Sequence, residues 1–570
     1  MNVLPALAAA LALAADPAPA APSADPRLVL LGAMTAEVER ASQRLRLSGF
    51  DPPYFLSTQL KEVRTEEIAG RSGAVFDDRS LRERKLFADV RVGSYDFDSS
   101  GPEDLAFLIG DEHKTWYAPK DAPLDDDPTA LRNALWLLTD EKYKEALSAF
   151  FKRKSRGVYR TDEPDRAPSF SREEPQRHVD PPLSFPLDRG RWREEVRALS
   201  SLFRAHPAIF DSAVKLTAEK QVRWFASSEG SALVTERTLY AVHLQGQARA
   251  PDGQLLENGR DFYASAEAEL PSPEDLRREV GRLIAELEAL RQAPVLDPYS
   301  GPAILAPEAT GVLFHEAVGH RLEGERQDDD KEGQTFKGQL GKPVLPAFLT
   351  VVDDPTLPVS GGVALNGFYR FDEQGVAAQR AVLVRDGRLE GYLLSRKAVK
   401  PFTGSNGHAR SQGAHRPVAR MANLVVSSSK PVPMVELKRR LLAEVRRQGK
   451  PYGLLIRDIA GGNTNTASYG YQAFKGTPRL VHRVDARTGA EELVRGAELV
   501  GTPLTALNKV LATGDEVRVF NAWCGAESGF VPVSTVAPAA LVSEIELQRV
   551  ARAKERVPIL PAPWSEAPRP

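Results

Sequence analysis

From about residue 300 onward the chain is finely punctuated: short runs rich in Val, Ile, Leu and Phe recur between glycine-bearing turns, leaving few stretches long enough for a helix. The runs fall at 348–352, 381–395 folded about Asp386-Gly387, 424–427, 453–459, 516–520 and 530–536. Such runs must pair to satisfy their backbone and bury their apolar side chains, so this half is expected to be β-rich. Helices are the minority, at 308–322, 435–447 and 504–511. A curved or barrel-like sheet carrying one buried helix fits this pattern better than a doubly wound sheet.

The first half has a different texture. Residues 28–47 show helical apolar spacing, 54–95 alternate as strands do, and 131–154 and 192–203 return to the helical period. Between them, 161–191 is rich in Pro, Arg, Asp and Glu without a clear period, which predicts a long surface loop or insertion. Strands are expected at 222–226, 232–244 and 262–269, the last two separated by the turn Pro251-Asp252-Gly253. Ser272-Pro273-Glu274-Asp275 combines a capping serine, a proline at the first helical position and an acid at the third, so a helix starts there and runs to about Arg291. Residues 293–302 then read as a linker, which predicts an α+β chain with domains over 27–298 and 299–570.

At 570 residues the chain exceeds what one core usually supports, in agreement with that division. Lys plus Arg number 75 against 77 Asp plus Glu, so no broad basic field exists to attract nucleic acid. A single cysteine, Cys524, excludes an internal disulfide and leaves one thiol as core filler, reactive group or metal ligand. The N-terminus opens with an apolar run over 3–15 and a Pro/Ala spacer to about residue 26. That reads as a signal peptide for export, although no Lys or Arg precedes the run; a disordered leader on a cytoplasmic protein is the competing reading. The run is too short for a permanent membrane anchor, and no later segment predicts stable membrane insertion.

The sharpest chemical signal is VLFHEAVGHRL at 312–322, where His315 and His320 stand five residues apart with Glu316 between them. On a regular helix such residues point about 140° apart around the axis, so they cannot share an ion. A π-type turn, or an end to the regular helix before His320, would bring them together, and Gly319 is where either is easiest. Glu316 follows the first histidine directly and suits a general base acting on a metal-activated water. Spacing leaves Cys524 and Glu323 level as third ligand, ahead of His408 and His415. The competing reading is a helix whose histidines are merely hydrogen-bonded, with Cys524 an inert buried thiol.

The string GVLFHEAVGHRLEGE at 311–325 resembles the metal-binding helix of the TldD/PmbA peptidase family. SNGHAR at 405–410 with RMANLVV at 420–426, GGNTNTASYGYQAF at 461–474 and WCGAESGFVPVSTVAPAALV at 523–542 resemble further family segments in the same order. The resemblance covers most of 300–548; the N-terminal half is similar only loosely, chiefly at FASSEG, 225–230. It implies an α/β N-terminal domain before the β-rich one, and one Zn2+ per chain held by His315, His320 and Cys524 with Glu316 as base. It also implies an enclosed channel for unfolded or extended peptide, and a homodimer or a heterodimer with a related subunit.

By family position His408, Arg410, His415 and Asn423 are candidates for stabilising an oxyanion or binding substrate. Tyr469 and Tyr471 are candidates for lining the channel, and Glu323 for orienting a ligand histidine. A noncatalytic, metal-stabilised partner subunit and a non-peptide amidase are the alternative functions. Glu316 separates the first of these, because a purely structural zinc site is normally closed by four ligands and has no use for a base.

Overall fold

A computed structural model describes residues 25–100, 120–157, 167–328, 335–413, 415–464, 466, 474–501 and 507–549. The leader at 1–24, the loop residues 161–166, and most of the segment at 461–474, Tyr469 and Tyr471 included, lie outside the described residues. The fold is α+β, built on two sheets.

The N-terminal sheet is laid down by two long hairpins, Pro53–Arg71 with Ala74–Val92 and Ile209–Ser227 with Ala232–Arg249, joined through the pairing of Pro53–Arg71 with Ile209–Ser227. Leu255–Ala264 and the short strands Lys120–Asp121 and Arg177–Val179 complete it. Only Arg177–Val179 runs parallel to its neighbour, so the helices here cover one face and are not crossovers between parallel strands.

Strand period fixes that face. Even-numbered residues such as Leu56, Leu60, Ile68, Leu216, Trp224 and Val242 are buried beneath the helices. Helices Arg27–Arg44 and Pro128–Gly157 cover one end of the sheet through Met34, Val38, Leu135 and Leu147. Helices Arg189–Ser201 and Pro273–Gln292 cover the other through Val196, Leu199, Leu283 and Leu287. The last of these starts as its sequence dictates, with the Ser272 hydroxyl accepting from the Asp275 backbone N–H and Pro273 in the first turn.

Odd-numbered residues on the other face reach the C-terminal half. Lys61 Nζ lies 2.8 Å from Glu373 Oε2 and donates to the Ser411 carbonyl at 3.0 Å, while Arg223 donates to the Asp372 and Phe371 carbonyls. Nearby, Arg396 is fully buried and forms two 2.7 Å hydrogen bonds to Glu229.

In the C-terminal half, a 12-stranded sheet contains a closed circuit of pairings. Gly529–Arg549 pairs with Ala497–Gly501, which pairs with Phe474–Asp485, then Tyr452–Thr464, then Tyr299–Leu305, which pairs back with Gly529–Arg549. Helix Pro307–Phe314 packs against strands Tyr452–Thr464, Val510–Ala526 and Gly529–Arg549. PEATGVLF is apolar nearly all round, and every residue but Glu308 is buried. Helix Met434–Arg447 covers the outside through Leu437, Leu441 and Val445 against Ile304, Leu455 and Leu541.

Four local expectations are corrected. The strands at 516–520 and 530–536 are the middles of one long hairpin, Val510–Ala526 with Gly529–Arg549, whose register shifts between Thr513 and Val517, at the exposed polar stretch around Asp515 and Glu516. The helix at 504–511 gives way to that strand at Val510, with 504–506 outside the described residues. The strand at 262–269 stops at Ala264, and Glu267–Glu269 is a single 3-10 turn held by the Glu269 carboxylate. The linker at 293–302 contains the start of strand Tyr299–Leu305. No helix among the described residues is long and apolar enough to cross a membrane.

Candidate metal centre

Regular α geometry ends at Phe314. His315–Gly319 form a π-helical turn and His320–Leu322 a 3-10 turn, so both departures that would let the two histidines meet are present together. The imidazole rings are 5.0 Å apart between centroids and nearly perpendicular, at 88°.

Gly319 is required by its surroundings. A Cβ on it would lie 1.9 Å from Met421 Sδ and 2.9 Å from Cε, because the chain at 420–422 runs directly against the π turn. Its φ of −54° is open to any residue, so the demand is for space, not for backbone freedom.

The third donor arrives from the long hairpin. Cys524 lies within strand Val510–Ala526, opposite Val531, and not at a turn. Its Sγ is 3.3 Å from His320 Nε2, and one donor atom from each of His315, His320 and Cys524 falls within 4.8 Å of the others. A tetrahedral zinc ion with two nitrogens and a sulfur sets its donors about 3.5 Å apart, so this trio fits the ion with movements of an ångström or so. Thiolate and imidazole are also the donors zinc prefers.

The tautomer of His320 is set by Glu323, whose Oε1 sits 3.1 Å from Nδ1 and leaves Nε2 facing Cys524. Glu323 is itself held by Arg326, at 2.8 Å from Nε to Oε2. Its carboxylate is therefore engaged away from the ion and lies outside the donor cluster. Burial alone would raise it, yet His320 and Arg326 hold it at about 2.

Burial likewise opposes charge on Cys524 and His320. Each outweighs that for the other: the thiol lies well below its usual value and the imidazole well above. Glu316 is 7% exposed and its carboxyl is raised by burial, with His315 and His320 opposing.

Arg420 was not visible as a site residue in the sequence. It is wholly buried and donates from Nη2 to Cys524 Sγ at 3.2 Å and to the Cys524 carbonyl at 2.8 Å. Its one sequence signal is that it opens the RMANLVV segment at 420–426, which marks the segment and gives the arginine no role.

The remaining candidates are dispersed. His408 is fully buried, with Nδ1 facing Asn406 and Nε2 3.3 Å from Asp353. Asn423 accepts from Gly367 N and donates to the Asp354 and Leu357 carbonyls. Arg410 donates to the Met421 and Pro532 carbonyls. His415 sits near the surface with Nδ1 facing the Gln412 carbonyl. None of the four belongs to the donor cluster, and the polar atoms of His408 and Asn423 are committed to holding loops together.

A cleft of about 560 Å³ opens between the two halves, lined by Arg223, Glu373, Arg410, His415, Trp523 and Phe530 among others. Trp523 and Cys524 alternate along one strand, so the cleft lies on the reverse side of the strand from the donor cluster.

Two histidines from the distorted helix end and a cysteine from a strand thus converge beside a buried carboxylate, a donor set able to hold a metal ion. Residues 298–549 match the family model for the PmbA/TldA metallopeptidase C-terminal domain. A metalloprotease from Archaeoglobus fulgidus is 34% identical over 249 residues, covering 43% of this chain and 53% of that protein. A metalloprotease TldD homolog from Haemophilus influenzae is 30% identical over 269 residues, covering 45% and 51%. The chain thus spans about half the length of these curated relatives. The crystal structure of TldE from Thermococcus kodakarensis shares the fold, with a TM-score of 0.59 at 13% identity, covering 90% of this chain and 100% of that one.

Proposed function

We propose that this chain is a zinc-dependent peptidase in which His315, His320 and Cys524 hold one ion and Glu316 is the base. The observation that carries the reading is the convergence of three donor atoms within 4.8 Å, with the Glu316 carboxylate buried next to His315. An ion held by His315, His320 and Cys524 would supply a Lewis acid able to polarise a carbonyl and acidify water.

The chain's own residues do the rest. Glu316 takes a proton from the attacking water at its carboxylate and returns it to the leaving amide nitrogen. Glu323 keeps the His320 proton on Nδ1 so that Nε2 presents its lone pair. The burial of Glu316 and His320 keeps bulk water from competing for these hydrogen bonds. An extended substrate held through its backbone suits a β-rich wall around the site and asks little of side chains. Assembly with a second copy or a related subunit is part of the same proposal.

The test is to purify the full chain, quantify bound zinc, and compare cleavage of casein and of unstructured peptides by the wild type and Glu316→Gln, each alone and with a related subunit. Zinc retained and cleavage lost in Glu316→Gln is the expected result. Equal cleavage by both proteins removes Glu316 from the mechanism. A wild type that binds zinc yet cleaves nothing in either setting favours the noncatalytic subunit.

A further inference from the structure

Arginine 420 occupies a position that the metal centre as so far described does not explain. Its guanidinium is completely buried, and a buried charge is costly unless its surroundings answer it. The four hydrogen bonds of its guanidinium all go to the end of the hairpin that carries Cys524. Nη2 reaches the Cys524 sulfur and carbonyl, and Nη1 reaches Ser528 Oγ at 2.9 Å and the Gly529 carbonyl at 3.1 Å. The remaining contact is with the other ligand element: Nε lies 3.5 Å from Glu323 Oε1, the oxygen that faces His320 Nδ1, too poorly aimed to count as a hydrogen bond.

The neighbours of Arg420 extend the same pattern. Met421 fills the space left by Gly319, and the Ala419 backbone N–H donates to Glu325 at 3.2 Å, just past the two histidines. The short segment 419–421 therefore touches both elements that supply the donor set, which lie 204 residues apart in sequence between His320 and Cys524.

We propose that Arg420 is a positioning residue for the metal site, one that fixes the Cys524 sulfur against the two histidines and draws electron density from it. A thiolate that accepts a charge-assisted hydrogen bond is a weaker donor, so the ion it binds keeps more of its Lewis acidity. The same contact holds the sulfur in place, so binding does not have to organise that ligand. This inference rests on the donor set proposed above, and it concerns the bonding of the sulfur, not the peptide reaction.

The experiment loads the full chain with Co2+ in place of zinc and records the sulfur-to-cobalt charge-transfer band. It also measures Zn2+ affinity by competition with a chromophoric chelator, for wild type, Arg420→Met, Arg420→Lys and Cys524→Ser. The expected result is a band in the wild type that is lost in Cys524→Ser and moves to longer wavelength in Arg420→Met, whose sulfur is no longer depleted of charge. Zn2+ affinity in Arg420→Met should fall about 10- to 100-fold, the usual cost of removing a partner of a metal ligand.

Arg420→Lys keeps the charge but cannot reach the sulfur, the Cys524 carbonyl and the Gly529 carbonyl together, so its shift and its loss of affinity should be smaller than in Arg420→Met. If Arg420→Met does not fold, Arg420→Lys alone decides. A band and affinity unchanged from wild type in the folded variant overturn the inference while leaving the donor set intact. A wild type with no charge-transfer band, or a band that survives in Cys524→Ser, instead refutes the donor set and this inference with it.

Discussion

The π turn at His315–Gly319 depends on an empty Cβ position, and Gly319→Ala is the smallest change that fills it. The added carbon would sit 1.9 Å from Met421 Sδ, about half a normal contact distance, and also 3.1 Å from Met421 Cγ. Met421 is 1% exposed, so its sulfur has no free space to retreat into and must displace neighbours in the core. Overpacking of this severity costs about 2–3 kcal/mol. Alanine recovers about 1 kcal/mol of helix propensity. The net loss is then about 1–2 kcal/mol.

The assay is urea unfolding in excess chelator, so that metal binding does not contribute to stability. The cycle is completed with Met421→Ala and the double variant. Met421→Ala alone should cost about 2–5 kcal/mol through its cavity. In the double variant the clash is gone, so it should be more stable than the sum of the singles predicts by about 2 kcal/mol. Additivity within about 0.5 kcal/mol would show that the two side chains do not compete for space, and the reasoning about Gly319 would fall.

Other expectations concern the contact between the two halves. Arg396 stacks on Phe55 and Phe170, with its carbon centre 4.7 and 4.1 Å from the ring centroids, while pairing with Glu229. Arg396→Met should therefore lower unfolding stability by about 3–5 kcal/mol, because Glu229 is left without its cation, and adding Glu229→Gln should restore part of the loss. Glu373 is pushed up by burial but held at about 2 by Lys61 and Arg223. Its contribution is complete above the ordinary carboxylate value near 4.5 and is lost as pH falls from there toward 2. Stability against pH over that window should be flatter in Glu373→Gln than in wild type, by at most about 1.4 kcal/mol per pH unit; parallel curves would contradict the assignment.

Much of this molecule was legible in the sequence, and the failures share a cause. Helix Pro273–Gln292 is written locally in Ser272, Pro273 and Asp275, and local rules find it. The His315, Glu316 and His320 cluster is equally local, which is why spacing alone exposed the need for a distorted turn. The hairpin Val510–Ala526 with Gly529–Arg549 is held together by partners up to 32 residues apart, and local patterning finds only its middles, 516–520 and 530–536. Cys524 stands inside that hairpin, four residues past the run at 516–520 that local rules find. Arg420 was missed because its meaning lies 104 residues away, at a sulfur no local pattern announces. His408 and Asn423, chosen by their place in a motif, turn out to hold loops through internal hydrogen bonds.

The central claim is that two imidazoles from one distorted turn and a sulfur from a distant strand meet on a single ion. X-ray absorption at the zinc edge of the zinc-loaded chain reads that shell directly. The account predicts one sulfur at about 2.3 Å and two imidazole nitrogens at about 2.0–2.1 Å, with the sulfur scattering absent in Cys524→Ser. A shell of nitrogen and oxygen alone in the wild type, unchanged by that substitution, would contradict it.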